Sequence, residues 1–119
     1  MSRIRIAVVV GVLVVFAVVG AVIIRANQHQ GGQNVTFNVT VTGARAMSPS
    51  SLSAHVNDTI TINITSDKDG EVHLHVYDIA FDTKAGQTVS HTFKADKTCG
   101  CDIEWERTSA PLGSLTVSP

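Results

Sequence analysis

Two histidines that lie two residues apart, His73 and His75, occur in the segment "GEVHLHVYD" at residues 70–78. In an extended strand, side chains at positions i and i+2 point to the same side, with Cα atoms about 6.5–7 Å apart. Two imidazoles at this spacing can bind one metal ion at about 2.0 Å from each nitrogen. The pair is therefore a candidate chelate; the alternative is that both histidines are polar residues that face water.

A third histidine, His91, lies in "TVSHTF" in phase with Val89 and Phe93. Strand alternation predicts that these three side chains share the inward face of a sheet. His91 is therefore either a further metal ligand or a residue that hydrogen-bonds a backbone carbonyl near the end of the sheet.

The two cysteines, Cys99 and Cys101, form the sequence "TCGC". In an oxidising compartment they would pair as a local disulfide, in which Gly100 relieves the backbone, or as an intermolecular one. They can instead remain free thiols, bind a soft ion such as Cu(I), or act as a redox-active pair. The sequence leaves these alternatives open.

The residues that follow the first cysteine alternate between an apolar and an acidic face. Cys101, Ile103 and Trp105 are predicted to face inward. The other face carries three acidic side chains, Asp102, Glu104 and Glu106. These are predicted to form a solvated strip that discourages pairing of exposed sheet edges.

Period-two alternation of apolar and polar residues runs through the chain from residue 34 onward, and no segment there has helical periodicity. The predicted strands are 34–42, 59–65, 71–77, 88–95, 101–106 and 112–117. Polar loops with turn chemistry separate them, and Asn57 is predicted to adopt a positive φ in one such turn. Short strands at roughly ten-residue spacing indicate an all-β sandwich.

Within the predicted strand 71–77, the apolar side chains are expected to face the core, and they are Val72, Leu74 and Val76. His73, His75 and Tyr77 would then share the opposite face, towards solvent or a cleft.

The N-terminal part of the chain is a candidate membrane segment. Residues 6–24 carry no charged or polar side chain, and at about 1.5 Å rise per residue they would span roughly 28 Å of bilayer. Arg3 and Arg5 precede this run, which predicts a cytoplasmic N-terminus. The expected product is a single-pass anchor in the cell membrane with an extracytoplasmic C-terminal domain; cleavage as a signal peptide would instead release a secreted domain.

The predicted organisation is an anchor at 1–26, a flexible tether at 27–33 and one domain at 34–119. This exported part has six basic and ten acidic residues, a net charge of −4. Nucleic acid is therefore not an expected partner, because a basic patch is missing.

The chain also lacks a nucleophile elbow, a phosphate loop and paired catalytic carboxylates, so it is not expected to be an enzyme.

From about residue 35 to 119 the sequence resembles the cupredoxin-like family. The resemblance rests on a proline-containing loop and strand that lead into "NDTITINITSD", and on "EVHLHVYD", "AGQTVSHTFKAD" and the final "LGSLTVSP". It implies a Greek-key β-sandwich or barrel and a copper-binding ancestry.

Carried over by position, the resemblance implies that His75 or His73 is the first copper ligand. The family's cysteine ligand falls at about Trp105, and no histidine or methionine follows it. The set of two histidines, a thiolate and a weak axial ligand that makes a blue-copper site is therefore not present, and ordinary copper electron transfer is not implied.

The sequence thus predicts a membrane-anchored, extracytoplasmic module that holds or transfers copper or another transition metal. His73 and His75 would bind the ion, with further ligands from His91, Cys99 and Cys101, and a metal-donor or metal-acceptor protein would be the partner. The alternative is a metal-free β-sandwich that serves as an interaction or structural module at the cell surface.

Overall fold

The computed structural model describes residues 31–119, and these residues form nine β-strands and no helix. The strands are β1 Asn34–Thr42, β2 Ala46–Ser48, β3 Ser51–His55, β4 Thr59–Ser66, β5 Gly70–Leu74, β6 Ile79–Thr83, β7 Thr88–Lys94, β8 Cys99–Trp105 and β9 Ala110–Ser118. Within this described range there is no helix long and apolar enough to cross a bilayer. The predicted anchor, including its apolar run at 6–24, lies outside the described residues.

The nine strands make two sheets. One has the order β2-β1-β4-β7 and the other has the order β3-β9-β8-β5-β6. The pairs β1–β4 and β3–β9 are parallel, and the remaining pairs are antiparallel. The prediction of an all-β fold is confirmed.

Alternation along the strands determines which face of each sheet is buried. In β4, Ile60, Ile62 and Ile64 are buried, whereas the threonines and the asparagine between them face outward. β1 follows the same rule where it pairs with β4, with Val39 and Val41 buried. Because successive side chains of a strand point to opposite faces, this sequence pattern allows only one face of the sheet to meet the core.

The five-stranded sheet has its inner face built from bulky apolar residues of its central strands. Val72 and Leu74 of β5 and Ile103 and Trp105 of β8 are all buried. The Trp105 ring occupies the space where a Cβ at Gly70 would lie, so the close contact between these strands requires a glycine there. This packing fixes which side chains of β5 and β8 face outward.

Several elements differ from the sequence-based expectation. β2 lies within residues 43–51, which were expected to be a loop, and β6 was not predicted. β5 ends at Leu74 rather than at Tyr77, because His75–Asp78 form a turn. The prediction that Val76 faces inward is wrong: it has a φ of 72° and its exposed fraction is 53%.

A buried carboxylate joins the start of the sandwich to the turn before β4. Asp58 is 2% exposed, and its two oxygens accept hydrogen bonds from the backbone N–H of Gln33 at 3.0 Å and of His55 at 2.8 Å. Its backbone carbonyl accepts from Ala95 N–H at 2.8 Å. Asn57, immediately before it, has the predicted positive φ, at 76°.

Replacement of Asp58 by alanine is expected to destabilise the fold by about 3 kcal/mol, because two partly buried N–H groups lose a charged acceptor. Urea unfolding of the full-length chain, followed through the fluorescence of the single tryptophan, Trp105, measures the change. The exposed Asp96 provides the control, since its replacement by alanine should change the free energy of unfolding by less than about 0.5 kcal/mol. Equal stability of the two variants would contradict the structural role of Asp58.

Candidate metal site

The pairing of β5 with β8 brings histidines and carboxylates together on the outer face of the five-stranded sheet. His73 lies opposite Glu104 in the register, between the inward-facing pairs Val72–Trp105 and Leu74–Ile103. Because the flanking pairs point into the core, His73 and Glu104 must point outward.

The acidic face of β8 does not lie at a sheet edge, contrary to the expectation from the sequence. β8 lies between β9 and β5, so it is an interior strand rather than an edge. Asp102 and Glu106 are exposed, but Glu104 is half-buried and contacts a histidine. The prediction of a solvated strip that protects a sheet edge is therefore wrong for this strand.

The turn after β5 places His75 on the same side as His73. The His75 N–H donates to the carbonyl of Asp102 at 2.9 Å, which ties the start of the turn to β8. The two imidazole rings are 4.6 Å apart between centroids, at an interplanar angle of 69°. The prediction that the two histidines share one face is confirmed.

Tyr77 holds this turn against the body of the sandwich. Its hydroxyl donates to the carbonyl of Lys97 at 2.5 Å, and its ring lies 5.0 Å from that of Phe93. The turn contains two non-glycine residues with positive φ, Val76 at 72° and Asp78 at 53°. A β-branched residue such as valine is disfavoured in this conformation. The contacts of Tyr77 help to hold the turn in this conformation.

Each histidine contacts its own carboxylate. His75 Nε2 lies 2.8 Å from Glu104 Oε1, and His73 Nε2 lies 2.7 Å from Asp78 Oδ1. The second ring nitrogen of His73, Nδ1, lies 3.5 Å from Glu106 Oε2. Two imidazoles and three carboxylates thus meet on one patch of the sheet.

Three of these side chains have donor atoms close enough to bind one ion. Ligand atoms of His73, His75 and Glu104 lie within 4.8 Å of one another, and no other group of this kind occurs within residues 31–119. Two donors at about 2.0–2.1 Å from an ion are roughly 2.9 Å apart when the angle at the ion is 90°. The 2.8 Å between His75 Nε2 and Glu104 Oε1 is close to that value, so these two atoms are already spaced to bind one ion.

One ring nitrogen of His73 makes no hydrogen bond, although the Glu106 carboxylate lies 3.5 Å from it. Nδ1 is buried and has no hydrogen-bond partner among the described residues. When the ring is neutral and Nε2–H donates to Asp78, Nδ1 carries the lone pair that a metal requires. A carboxylate that orients a histidine through its other nitrogen is typical of metal sites, and Asp78 has this relation to His73.

The surrounding carboxylates favour the protonated form of His73. The hydrogen bond to Asp78 raises the pKa of His73 above 6.5, partial burial of the ring opposes this effect, and the charge of Glu106 supports it. Because a metal must displace the ring proton, ion binding at His73 competes with protonation.

The structure does not bring His91 to this group. His91 lies on β7 in the other sheet, opposite Ile62. Its ring contacts that of Phe81 edge-on, with 4.9 Å between the ring centroids, as expected for an inward-facing position. The residue as a whole is nevertheless exposed. His91 is not among the donors that surround His73 and His75.

The two cysteines form a local disulfide, with 5.3 Å between their Cα atoms. Cys101 is completely buried on the inner face of the sheet, as its phase predicts. Glu104 lies on the opposite face of the same strand, so the sulfur atoms and the imidazoles cannot bind one ion together. In this disulfide form neither sulfur is a thiolate ligand.

Sequence reasoning did not identify the acidic members of the site, which are Asp78, Glu104 and Glu106. The signal was present for Glu104 and Glu106, because they alternate on one face of a strand. Their role requires that this strand pairs with the histidine strand, which local periodicity does not specify. Asp78 directly follows the "HLHVY" segment, but it reaches His73 only because the chain turns after Leu74.

The pKa of His73 provides a test of these contacts. Because this pKa is raised in the folded state, protonated His73 stabilises the fold below the ordinary value of 6.5, and the contribution is lost as the pH rises through the folded-state pKa. The stability difference between wild type and Asp78→Asn should therefore be larger at about pH 6 than at about pH 9.

NMR titration of the metal-free, full-length chain should give a pKa for His73 above 6.5, and Asp78→Asn should lower it. Asp96→Asn is a matched control that removes one exposed carboxylate elsewhere. If Asp78→Asn and Asp96→Asn leave the same His73 pKa, the proposed hydrogen bond does not control the ring.

No protein-family model matches the sequence, and no curated protein matches it. Solved structures do match. A copper binding protein, whose solution structure was determined in the apo form, has a TM-score of 0.59 at 10% identity, covering 76% of this chain and 92% of its own. Auracyanin B has a TM-score of 0.52 at 13% identity, covering 77% of this chain and 93% of its own.

A third match is a chain in the structure of a heme-copper terminal oxidase dimer, with a TM-score of 0.57 at 12% identity. It covers 95% of this chain and 97% of its own length. At such low identities these similarities concern the fold alone. The sandwich formed by residues 31–119 therefore has the cupredoxin-like fold.

Proposed function

We propose that this chain is a membrane-anchored, extracytoplasmic module that holds copper or another transition-metal ion and exchanges it with a partner protein. The ion would be bound on the outer face of the cupredoxin-like sandwich by His73, His75 and Glu104. The observation that carries the proposal is the cluster of three donors within 4.8 Å, next to a buried His73 nitrogen with no hydrogen-bond partner.

The membrane part of the proposal is supported by the sequence before residue 31. The apolar run at 6–24 is long enough for one bilayer crossing, and Arg3 and Arg5 precede it. A domain anchored in this way would work close to the membrane surface, where a donor or acceptor of the ion can also be anchored.

Metal holding fits the site better than blue-copper electron transfer. An electron-transfer site of that type requires a thiolate ligand, but the chain's cysteines are joined to each other on the inner face of the sheet. The side chain of His75 is 41% exposed, so a bound ion would be within reach of donors from another protein. Imidazole and carboxylate donors would keep the ion in place without changing its oxidation state.

A metal-free interaction module is the second candidate. It is favoured by the short contacts His73–Asp78 and His75–Glu104, which pair both imidazoles with carboxylates without any ion. The two candidates differ in whether an ion stabilises the native state.

Addition of Cu(II) to the chelator-treated, full-length chain in detergent is expected to raise its melting temperature. A ligand that binds only the native state at 100 times its dissociation constant adds about 2.7 kcal/mol of stability. The double variant His73→Ala/His75→Ala should lose this increase. Differential scanning calorimetry with one to five equivalents of metal gives the comparison.

The matched control is His55→Ala/His91→Ala, which also removes two histidines but none from the site. It should retain the full increase in melting temperature. If wild type and both double variants respond equally to Cu(II), the proposed site does not bind the metal and the interaction module becomes the better candidate.

The copper-loaded protein is expected to lack the intense blue colour of a thiolate site, since the described donors on the outer face are nitrogen and oxygen. Visible absorption should show only weak ligand-field bands, and electron paramagnetic resonance should show an axial Cu(II) spectrum. An intense sulfur-to-copper charge-transfer band would mean that the cysteines, rather than His73 and His75, bind the ion.

A further inference from the structure

The donor atoms of the outer-face site are imidazole nitrogens and carboxylate oxygens, and none is sulfur. The sulfur-containing side chains within residues 31–119 are Met47, Cys99 and Cys101. Met47 and Cys101 are buried in the core, and the disulfide links Cys99 to Cys101. Soft thiolate and thioether ligands select Cu(I), whereas imidazole and carboxylate suit Cu(II), Zn(II) and related divalent ions.

The charges around the donors favour the same class of ion. Glu104 is a potential ligand with a side chain that is only 22% exposed, and Asp78 and Glu106 approach His73. No lysine or arginine in the described part of the chain forms an ion pair with these carboxylates. A divalent cation is attracted by each carboxylate twice as strongly as a monovalent cation at the same distance.

The half-buried position of Glu104 makes its charge more effective than those of its neighbours. Asp78 and Glu106 have side chains that are 90% and 50% exposed, so water and salt screen them. The Glu104 carboxylate is less accessible to solvent and directly contacts His75 at 2.8 Å. It is therefore the single oxygen donor most able to distinguish ions of different charge.

The geometry also suits an ion that accepts donors at about 90°. The separation of His75 Nε2 and Glu104 Oε1 corresponds to such an angle without movement of either side chain. Tetragonal coordination by nitrogen and oxygen is typical of Cu(II), whereas tetrahedral Zn(II) would require these two donors to move slightly apart. Three protein donors leave further coordination positions for water or for a partner's side chain.

From these observations we infer that the His73–His75–Glu104 site selects divalent ions of the Cu(II) and Zn(II) class over Cu(I), with Glu104 as the residue that provides the selectivity. This inference rests on the proposed metal-holding function and specifies its cargo. The metal-donor or metal-acceptor protein would accordingly supply or accept a divalent ion.

The test compares three ions on the same preparation. The full-length chain in detergent, with its disulfide intact, is titrated with Cu(II), Zn(II) and, without oxygen, Cu(I), each against a chromophoric competitor of known affinity. Wild type is expected to bind one Cu(II) or one Zn(II), and to bind Cu(I) at least tenfold more weakly than Cu(II).

Glu104→Gln is expected to weaken Cu(II) and Zn(II) binding at least tenfold and to leave Cu(I) binding unchanged. Asp102→Asn is the matched control, because it removes an exposed carboxylate from the same strand without removing a proposed donor. It should change the divalent affinities less than threefold.

The outcomes separate this inference from the function on which it rests. If Cu(I) binds as tightly as Cu(II) and this binding requires His73 and His75, the site holds metal but the divalent selectivity is wrong. If Glu104→Gln and Asp102→Asn have equal effects, Glu104 is not the selective ligand. If none of the three ions binds, the metal-holding function itself is overturned. Circular dichroism of each variant checks that the β-sheet fold is retained.

Discussion

The register between β5 and β8 is the constraint on which the candidate site depends. Val72 pairs with Trp105 and Leu74 with Ile103, and all four side chains are buried on the inner face. A shift by one residue would move these apolar side chains into water and the polar ones into the core. The hydrophobic core therefore determines that His73 and Glu104 emerge on the outer face, although neither contributes to that core.

Most of the fold follows from local patterns in the sequence. β1 has the predicted limits, β4 differs from its prediction by one residue, and the buried isoleucines of β4 follow directly from alternation. The shared face of His73 and His75 was predicted in the same way. Short strands were harder to predict, because three residues such as Ala46–Ser48 contain too little periodicity to distinguish a strand from a loop.

The composition of the site was only half predictable. A pattern along one strand identifies the two histidines, but the third donor lies about thirty positions further on and belongs to another strand. Only the pairing of the two strands shows that Glu104 is a neighbour of His75. The turn after Leu74 also escaped prediction, because Val76 is a strong strand former that here has a positive φ and faces solvent. Its neighbour Tyr77 packs against Phe93, a contact with a distant strand that local strand preference does not reveal.

The Asp58 junction has a mechanical consequence. Both backbone polar groups of Gln33 are hydrogen-bonded: its N–H donates to Asp58, and its carbonyl accepts from Thr59 N–H at 2.8 Å. Tension applied to the chain before residue 33 would therefore act on these two hydrogen bonds before it reached the ladder between β1 and β4. Separation of β1 from β4 by a force on the N-terminal side is therefore opposed first by the Gln33 hydrogen bonds, which lie next to the first residue pair of that ladder, Asn34–Thr59.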